Sequence, residues 1–150
     1  MNNLTLPLVI AAIVFQFDFT QCFACRCQKK PSVKNQIKTS EMVVTGTILS
    51  KETIVIEGLI DNLPYKIPQA FYKILVLEKH KGNFAANTLT IQTTLGDENC
   101  GFDFKIGGKY LIYSSKDQFT KPGNFSTSIC TRTRKFGVLE NLRIKAKIKK

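Results

Sequence analysis

The positions of the cysteines constrain this chain more than any other feature of its sequence. Two of them stand almost side by side in Cys25-Arg26-Cys27, and two more lie far along the chain, at Cys100 and Cys130. A bridge between the first two would close a loop too short for good disulfide geometry. We therefore expect each of the first two to pair with a distant cysteine, and the spacing leaves both such pairings open.

The residues ahead of this motif predict a signal peptide. Residues 6–15 form an apolar run as long as a signal-peptide core, whereas a membrane span takes about 20 apolar residues. Cys22 and Ala24 place small side chains at the third and first positions before a cut after Ala24. We expect residues 1–24 to be removed, which leaves a secreted chain with four cysteines and two disulfides. An N-terminal anchor or a buried strand is the alternative for the same run.

A structural zinc site is the rival interpretation of the four cysteines. Structural zinc takes four closely organised ligands, whereas Cys25-Arg26-Cys27 has no second pair nearby in the sequence, and His80 is the only histidine. The spacing favours disulfides. We expect the protein to hold no metal and no other cofactor of its own.

Hydrophobic periodicity predicts an all-β domain with a helix at each end. Val33 and Ile37 indicate a short helix near the start of the mature chain, and Leu139, Leu142 and Ala146 suit one face of a C-terminal helix. The pattern contains about five strands and no βαβ alternation, which favours one small antiparallel barrel over residues 25–150. The β-rich runs are residues 42–50, 53–57, 70–78, 88–95, 109–115 and 125–133, with a loop or hairpin tip at 58–68. Gly46 indicates a bulge or bend in the first run.

The sequence places no side chains in a pattern that predicts an enzyme. His80 falls in a predicted turn between Lys79 and Lys81, with no carboxylate indicated as its partner for general-base catalysis. Asp97 and Glu98 are adjacent carboxylates, but a loop pair of this kind is usually solvated, and no second acid is placed by spacing. We expect no catalytic residue.

Positive charge is concentrated near the C-terminal end. The chain has a formal net charge of +11, and the sequence predicts a basic helix and tail from about residue 136. For a secreted protein, heparan sulfate or another matrix polyanion is a better match than nucleic acid, and a solvated tail that only aids solubility is the alternative. The candidates for polyanion binding are Arg143, Lys145, Lys147, Lys149 and Lys150. Asn124-Phe125-Ser126 is a sequon, which makes Asn124 a glycosylation candidate.

The expected mature N-terminus has metal-binding chemistry of its own. A free α-amine has an ordinary pKa of about 7.7–8.0, so its lone pair is available near neutral pH. Together with the carbonyl oxygen of Cys25, that amine can chelate a metal ion. The catalytic zinc of a protease has three protein ligands and an open position. A chain start made rigid by disulfides would fill that position at a small entropic cost and displace the catalytic water.

Several short motifs follow one another in an order that is found in a known family. They are Cys25-Arg26-Cys27 directly after the leader, Val43-Val44-Thr45-Gly46-Thr47, Tyr72-Lys73, Lys81-Gly82, Thr88-Leu89-Thr90-Ile91, Asn99-Cys100-Gly101 and Ser128-Ile129-Cys130. Together they resemble the netrin-like inhibitory domain of the tissue inhibitors of metalloproteinases. The resemblance covers the chain from Cys25 to about Thr133, and we expect a single-domain form in which a basic tail follows.

The resemblance implies a fold, a pairing and a function. The fold is all-β with flanking helices, a disulfide-stapled, five-stranded barrel of the OB type. The implied disulfides are Cys25–Cys100 and Cys27–Cys130. The implied function is inhibition of a secreted or cell-surface zinc metalloprotease by a monomer whose Cys25 binds the zinc of the target. The implied inhibitory ridge consists of Cys25, Arg26, Cys27, Gln28, Asp97, Glu98, Asn99 and Cys100.

Arg26 departs from the family pattern in a way that bears on the target. The family usually has a small hydroxyl residue at this position, which points into the pocket for the substrate side chain just after the scissile bond. Burying a guanidinium in an apolar pocket without an acidic partner is costly. The departure therefore predicts a target protease with a polar or acidic pocket rather than an ordinary matrix metalloproteinase.

Overall fold

The computed structural model describes most of the expected mature domain. The described residues are 25, 27, 29–60, 63–95, 100–116, 120 and 123–148. Several predictions concern residues outside this part of the chain: the signal peptide at 1–24, Arg26, Gln28, Asp97, Glu98, Asn99, Lys149 and Lys150.

The described chain folds into one six-stranded sheet with a helix at each end. The helices are α1 (Val33–Thr39) and α2 (Val138–Ile148). The strands are β1 (Met42–Ile60), β2 (Leu63–Lys81), β3 (Thr88–Thr94), β4 (Lys109–Ser114), β5 (Phe125–Ser126) and β6 (Arg134–Lys135). The predicted β fold with two flanking helices is confirmed, although the strands number six rather than about five.

The sheet is open. Its strand order is β5-β3-β2-β1-β4-β6, and the edge strands β5 and β6 do not pair with each other in the described part of the chain. Neighbouring strands are antiparallel except β3 and β5, which run parallel over two residue pairs. Beyond the ladder, the N–H of Ser115 donates to the carbonyl oxygen of Ser126 at 3.1 Å, and the reverse bond measures 2.7 Å. The end of β4 thus lies beside the β5 edge, connected to it by one isolated bridge.

β1 and β2 are longer than the sequence predicts. Each has 19 residues, so the two expected strands at 42–50 and 53–57 are one strand, and most of the expected loop at 58–68 is paired. β4 pairs with β1 only as far as Thr47, and β3 pairs with β2 only from Gln69 to Leu75. The rest of the hairpin therefore extends beyond the sheet as a two-stranded arm. Pro64 is tolerated there because an arm with a free edge does not need its missing N–H group. Pro68 lies where the arm meets the sheet, and its carbonyl oxygen accepts from the N–H of Leu95 at 2.8 Å.

Gly46 lies at a register shift between β1 and β2, where the sequence predicts a bulge or bend. The backbones approach closely at this point, since a Cβ on Gly46 would lie 2.8 Å from the carbonyl oxygen of Leu75. Only glycine permits that approach, and the bulge increases the local twist of the long hairpin.

The main core is built around an aromatic cluster on one face of the sheet. The ring centroids of its neighbouring members lie 4.5 to 6.0 Å apart, mostly edge to face. Its members are Tyr72, Phe102, Phe104 and Tyr110. The hydroxyl of Tyr72 donates to Asp103 at 2.7 Å, and Lys51 forms an ion pair with the same carboxylate at 3.0 Å.

The two helices cover a smaller core. Val43 and Leu111 of the sheet pack with Ile144 of α2, and Val33 and Ile37 of α1 lie against this cluster. The predicted apolar face of α1 is therefore confirmed. The predicted face of α2 is wrong, because its Leu139 and Leu142 are exposed while Ile144 is buried.

Candidate functional site

The two cysteines of the Cys25-Arg26-Cys27 motif are held by separate disulfides. Cys25 is bonded to Cys100 and Cys27 to Cys130, with a Cα–Cα distance of 5.2 Å in each pair. These are the two pairs that the resemblance implies. All four residues are half-buried, and their sulfur atoms lie within 4.8 Å of one another. The start of the expected mature chain is therefore attached at two points to one small region.

The clustering of the four cysteines is relevant to the alternative interpretation, a structural zinc site. Cysteines that are distant in the sequence converge here, which spacing along the chain does not reveal. In the reduced state their four thiolates would form a set of the kind that structural zinc uses. In the structure each sulfur is bonded to another sulfur, and a disulfide sulfur is not the thiolate that zinc requires.

The segments that carry the partner cysteines are bonded to each other. The N–H of Ile129, next to Cys130, donates to the carbonyl oxygen of Cys100 at 2.9 Å. Cys100 has φ 54°, in the left-handed region that few residues other than glycine adopt. A Cβ at the following Gly101 would lie 1.7 Å from the carbonyl oxygen of Thr94, so glycine is required for this approach to the end of β3.

A buried threonine network fixes the loop that carries Cys130. Thr127 donates its hydroxyl to the carbonyl oxygen of Tyr113 at 2.8 Å, and Thr133 accepts from the N–H of Tyr113 at 3.0 Å. The two hydroxyl oxygens are 2.8 Å apart. Hydroxyl side chains here replace the strand ladder that the sequence predicts over 125–133, so β5 ends at Ser126. We call the two disulfides with the loop 127–133 the disulfide base.

Arg132 connects the disulfide base to α2 and to the segment just ahead of α1. Its Nε donates to Glu140 of α2 at 3.0 Å, and its Nη1 donates to the carbonyl oxygen of Pro31, just ahead of α1, at 3.2 Å. The side chain of Glu140 is only 4% exposed, and Arg134 and Arg143 approach it at 3.9 and 3.7 Å. A buried carboxylate requires such partners, since an unpaired buried charge is strongly unfavourable.

His80 lies in a different environment from the predicted turn. It is part of β2, its side chain is 3% exposed, and its Nε2 lies 2.9 Å from the hydroxyl of Thr45. Burial lowers the pKa of His80, and the nearby charge of Glu78 opposes that shift only in part. Lys145 of α2 forms an ion pair with Glu78 at 2.9 Å, and this bond lowers the pKa of Glu78. His80 is therefore a packing group between β1, β2 and α2 rather than an exposed turn residue.

The structure separates the candidates for polyanion binding. Arg143 is close to Glu140, and Lys145 is paired with Glu78, whereas Lys147 is exposed. Lys149 and Lys150 lie outside the described residues. The glycosylation candidate Asn124 is half-buried.

The fold forms a cationic pocket of about 260 Å³ that the sequence does not predict. It is lined by Lys30, Arg132 and Arg134. The lysine and the two arginines stand about a hundred positions apart in the chain, so no run of charge marks their convergence.

A cleft of about 340 Å³ adjoins the disulfide base. Residues with hydroxyl or amide side chains make up most of its lining, among them Gln69, Gln92, Thr93, Ser128 and Thr131. The side-chain amide of Gln92 donates to Gln69 within this cleft. None of the residues that line the cleft is charged, although much of the surface they expose to it is apolar.

Comparison with known proteins assigns no family to the chain. No protein-family model matches it, and no curated protein matches it. Within the part of the chain that the structure describes, no helix has the length and apolar character that a membrane crossing requires.

Proposed function

We propose that this chain is a secreted, non-enzymatic inhibitor of zinc metalloproteases of the netrin-like type. After removal of residues 1–24, the α-amine and carbonyl oxygen of Cys25 would chelate the catalytic zinc of the target. The observation that carries this proposal is the double attachment of the chain start. Cys25 and Cys27 are bonded to two segments that are themselves hydrogen-bonded through Ile129 and Cys100. A start held in this way loses little entropy when it enters a cleft.

A barrel of the OB type is part of this proposal. β1 to β4 with β5 make up the five strands, and β6 is an addition at the β4 edge. The isolated bridge between Ser115 and Ser126 supports closure, because it joins the end of β4 to β5 across the open side of the sheet. In this arrangement the disulfide base lies directly after the closing strand.

Arg26 would set the choice of target. It would enter the pocket that follows the scissile bond, accompanied by Gln28 and the loop Asp97-Glu98-Asn99. The left-handed Cys100 and the obligatory Gly101 support this geometry, since they fix the backbone at the residue that is bonded to the chain start. A guanidinium needs an acidic or polar partner when desolvated. The expected target therefore has a polar or acidic group in that pocket.

One added residue tests the chelation. The protein is prepared with Cys25 as its first residue and, in parallel, with one alanine ahead of it, and both are titrated against a panel of zinc metalloproteases. We expect the extension to weaken inhibition by about 100-fold or more, because the amine of the added residue no longer lies beside the anchored carbonyl. The matched control carries one alanine after Lys150 and should inhibit normally. Equal inhibition by the N-terminally extended protein would show that the amine does not bind zinc.

A second candidate function is binding of heparan sulfate or other matrix polyanions without protease inhibition. The cationic pocket of Lys30, Arg132 and Arg134 favours it, because three cations converge on a concave surface that fits a sulfate group. The double variant Lys30→Gln/Arg134→Gln should then leave a heparin column at lower salt than the native chain. Glu57→Gln/Lys66→Gln, which removes an exposed ion pair without changing net charge, is the control. Unchanged retention of the pocket variant would rule this pocket out as the polyanion site.

A further inference from the structure

α2 presents apolar side chains outward. Val138, Leu139 and Leu142 are 67%, 74% and 58% exposed, while Ile144 and Glu140 face the sheet and are buried. A surface helix normally directs its apolar stripe toward the core and its charges toward solvent. Here a buried carboxylate with its arginines occupies part of the inner face, and leucines occupy the outer one. We call Val138, Leu139 and Leu142 the outer face of α2.

The outer face is continuous along the helix. Val138 and Leu142 are four residues apart, and Leu139 is three residues from Leu142, so the three side chains are neighbours. Ala146, one turn further, is exposed and extends the same stripe. The apolar surface therefore runs along about two turns of the helix.

Cations border the outer face on the side of Glu140. Arg143 and Lys147 are four residues apart on this flank, and Arg143 lies 3.7 Å from Glu140. The cationic pocket reaches the same flank, since Arg132 and Arg134 also approach Glu140. One carboxylate thus faces three arginines, and this flank keeps a clear excess of positive charge.

The opposite flank is close to neutral. Lys145 lies there and is paired with Glu78 of β2 at 2.9 Å. The surface around α2 is therefore apolar in the middle, strongly cationic on one side and balanced on the other.

We propose that the outer face of α2 docks on an anionic phospholipid surface. An interfacial helix of this kind places its apolar side chains at the boundary of headgroups and acyl chains, while flanking Lys and Arg contact lipid phosphates. Leu139 and Leu142 would enter that boundary, and Arg143 with the cationic pocket would lie over the headgroups. The docking is peripheral, and it does not depend on protease inhibition.

The cations and the apolar side chains around α2 together favour an anionic lipid surface over a sulfated polysaccharide and over a second copy of the chain. A sulfated polysaccharide matches the cations but offers no apolar surface for Leu139 and Leu142. A second copy docked face to face with the two helices antiparallel would bring both cationic flanks to the same side of the interface, because a two-fold axis relates identical patches. An anionic lipid surface is complementary to both parts.

Vesicle flotation tests the proposal with the secreted chain and its leucine variant. The native chain should float with vesicles of phosphatidylcholine and phosphatidylserine, and raised salt should weaken the binding by screening the cations. Leu139→Gln/Leu142→Gln should reduce the bound fraction by about tenfold or more, because two buried leucines are lost from the contact. Both positions are exposed, so the fold should tolerate the change. The control is Leu63→Gln, since Leu63 is 70% exposed but lies at the start of β2 in the arm.

Five outcomes would overturn the proposal. The native chain fails to float with the anionic vesicles, or it floats equally well with pure phosphatidylcholine vesicles. The double leucine variant floats as well as the native chain. Light scattering shows a dimer that the leucine variant abolishes, which would assign the outer face to a second copy. If the leucine variant loses heparin retention but keeps vesicle binding, the face belongs to a polysaccharide site.

Discussion

The disulfide base and α2 are held to the sheet by different forces. In the disulfide base, two covalent bridges and a buried hydroxyl network meet around Cys130. α2 is attached through the buried Ile144 and through ion pairs of Glu140 and Lys145, and it leaves its leucines outside. The first arrangement suits a group that must keep one geometry in a protease cleft. The second suits a surface that contacts a soft or variable partner.

The largest expected effect comes from removing one bridge of the disulfide base. Cys27→Ser/Cys130→Ser deletes the bridge that spans 103 positions. A loop of that length gives a loss of about 4–5 kcal/mol in the free energy of unfolding as an upper value, because the unfolded chain regains its freedom. Denaturant unfolding of the variant and the native chain measures the change. A loss below about 1 kcal/mol would mean that the threonine network and the remaining Cys25–Cys100 bridge hold the base without this disulfide.

Removing the charge of Glu140 should have the next largest effect. Glu140→Gln leaves Arg132, Arg134 and Arg143 close together without their shared carboxylate. We expect the free energy of unfolding to fall by about 2–3 kcal/mol, since breaking a buried ion pair leaves uncompensated charge. Thermal and denaturant unfolding measure it.

Glu57→Gln is the matched control for that change. Glu57 is paired with Lys66 at 2.7 Å, but both side chains are mostly exposed. Exposed pairs contribute about 0–1 kcal/mol, so this variant should unfold almost like the native chain. If both variants lose the same stability, the attachment of α2 does not depend on the buried carboxylate.

A smaller effect is expected within the threonine network. Thr127→Val keeps the shape of the side chain but removes the hydroxyl that donates to the carbonyl oxygen of Tyr113, which then keeps only the 3.1 Å bond from Thr133. The expected loss is about 1–2 kcal/mol in the free energy of unfolding. Thr127→Ser keeps the hydroxyl and should retain most of that stability. A smaller loss in Thr127→Val than in Thr127→Ser would show that packing of the methyl group, rather than the hydroxyl, stabilises this position.

The smallest expected effect is a pH dependence at the interface of α2 with the sheet. Burial lowers the pKa of His80 below its ordinary value of 6.5, so the folded state binds this proton less readily than the unfolded state does. Stability is therefore full above about pH 6.5 and falls as the pH decreases through the lowered pKa. His80→Gln should remove this dependence in unfolding measured between pH 5 and 7.5, because His80 is the only histidine. If the stability of His80→Gln depends on pH in the same way as that of the native chain, the pH dependence does not come from His80.

Strand content could be predicted from the sequence because alternation and β-branched residues mark strands directly. The arm was missed because Pro64 and Pro68 indicate a loop, although proline is compatible with a strand whose edge is free. The buried face of α2 was predicted wrongly for a different reason. Periodicity ranks side chains by polarity, and it does not show that Arg132 would bring Glu140 inward in place of Leu139.

The sequence predicts only in part which residues come together at the disulfide base. Spacing excludes a bridge between Cys25 and Cys27 but does not choose between the two long-range pairings. The cationic pocket joins Lys30 to Arg132 and Arg134 through the tertiary fold, which no local pattern encodes. By contrast, Gly46 was predicted at a bulge, because glycine within a β-branched run is itself a local signal.

N-terminal sequencing combined with the intact mass of the secreted protein tests the central claim most directly, since chelation needs a free amine on an anchored Cys25. The proposal predicts a chain that begins at Cys25, carries an unmodified α-amine and has lost two hydrogens for each of two disulfides. A glycan at Asn124 is removed enzymatically before the mass is measured. A start at any other residue, a blocked amine, or thiols at Cys25 and Cys100 would contradict the proposed inhibitory chain start.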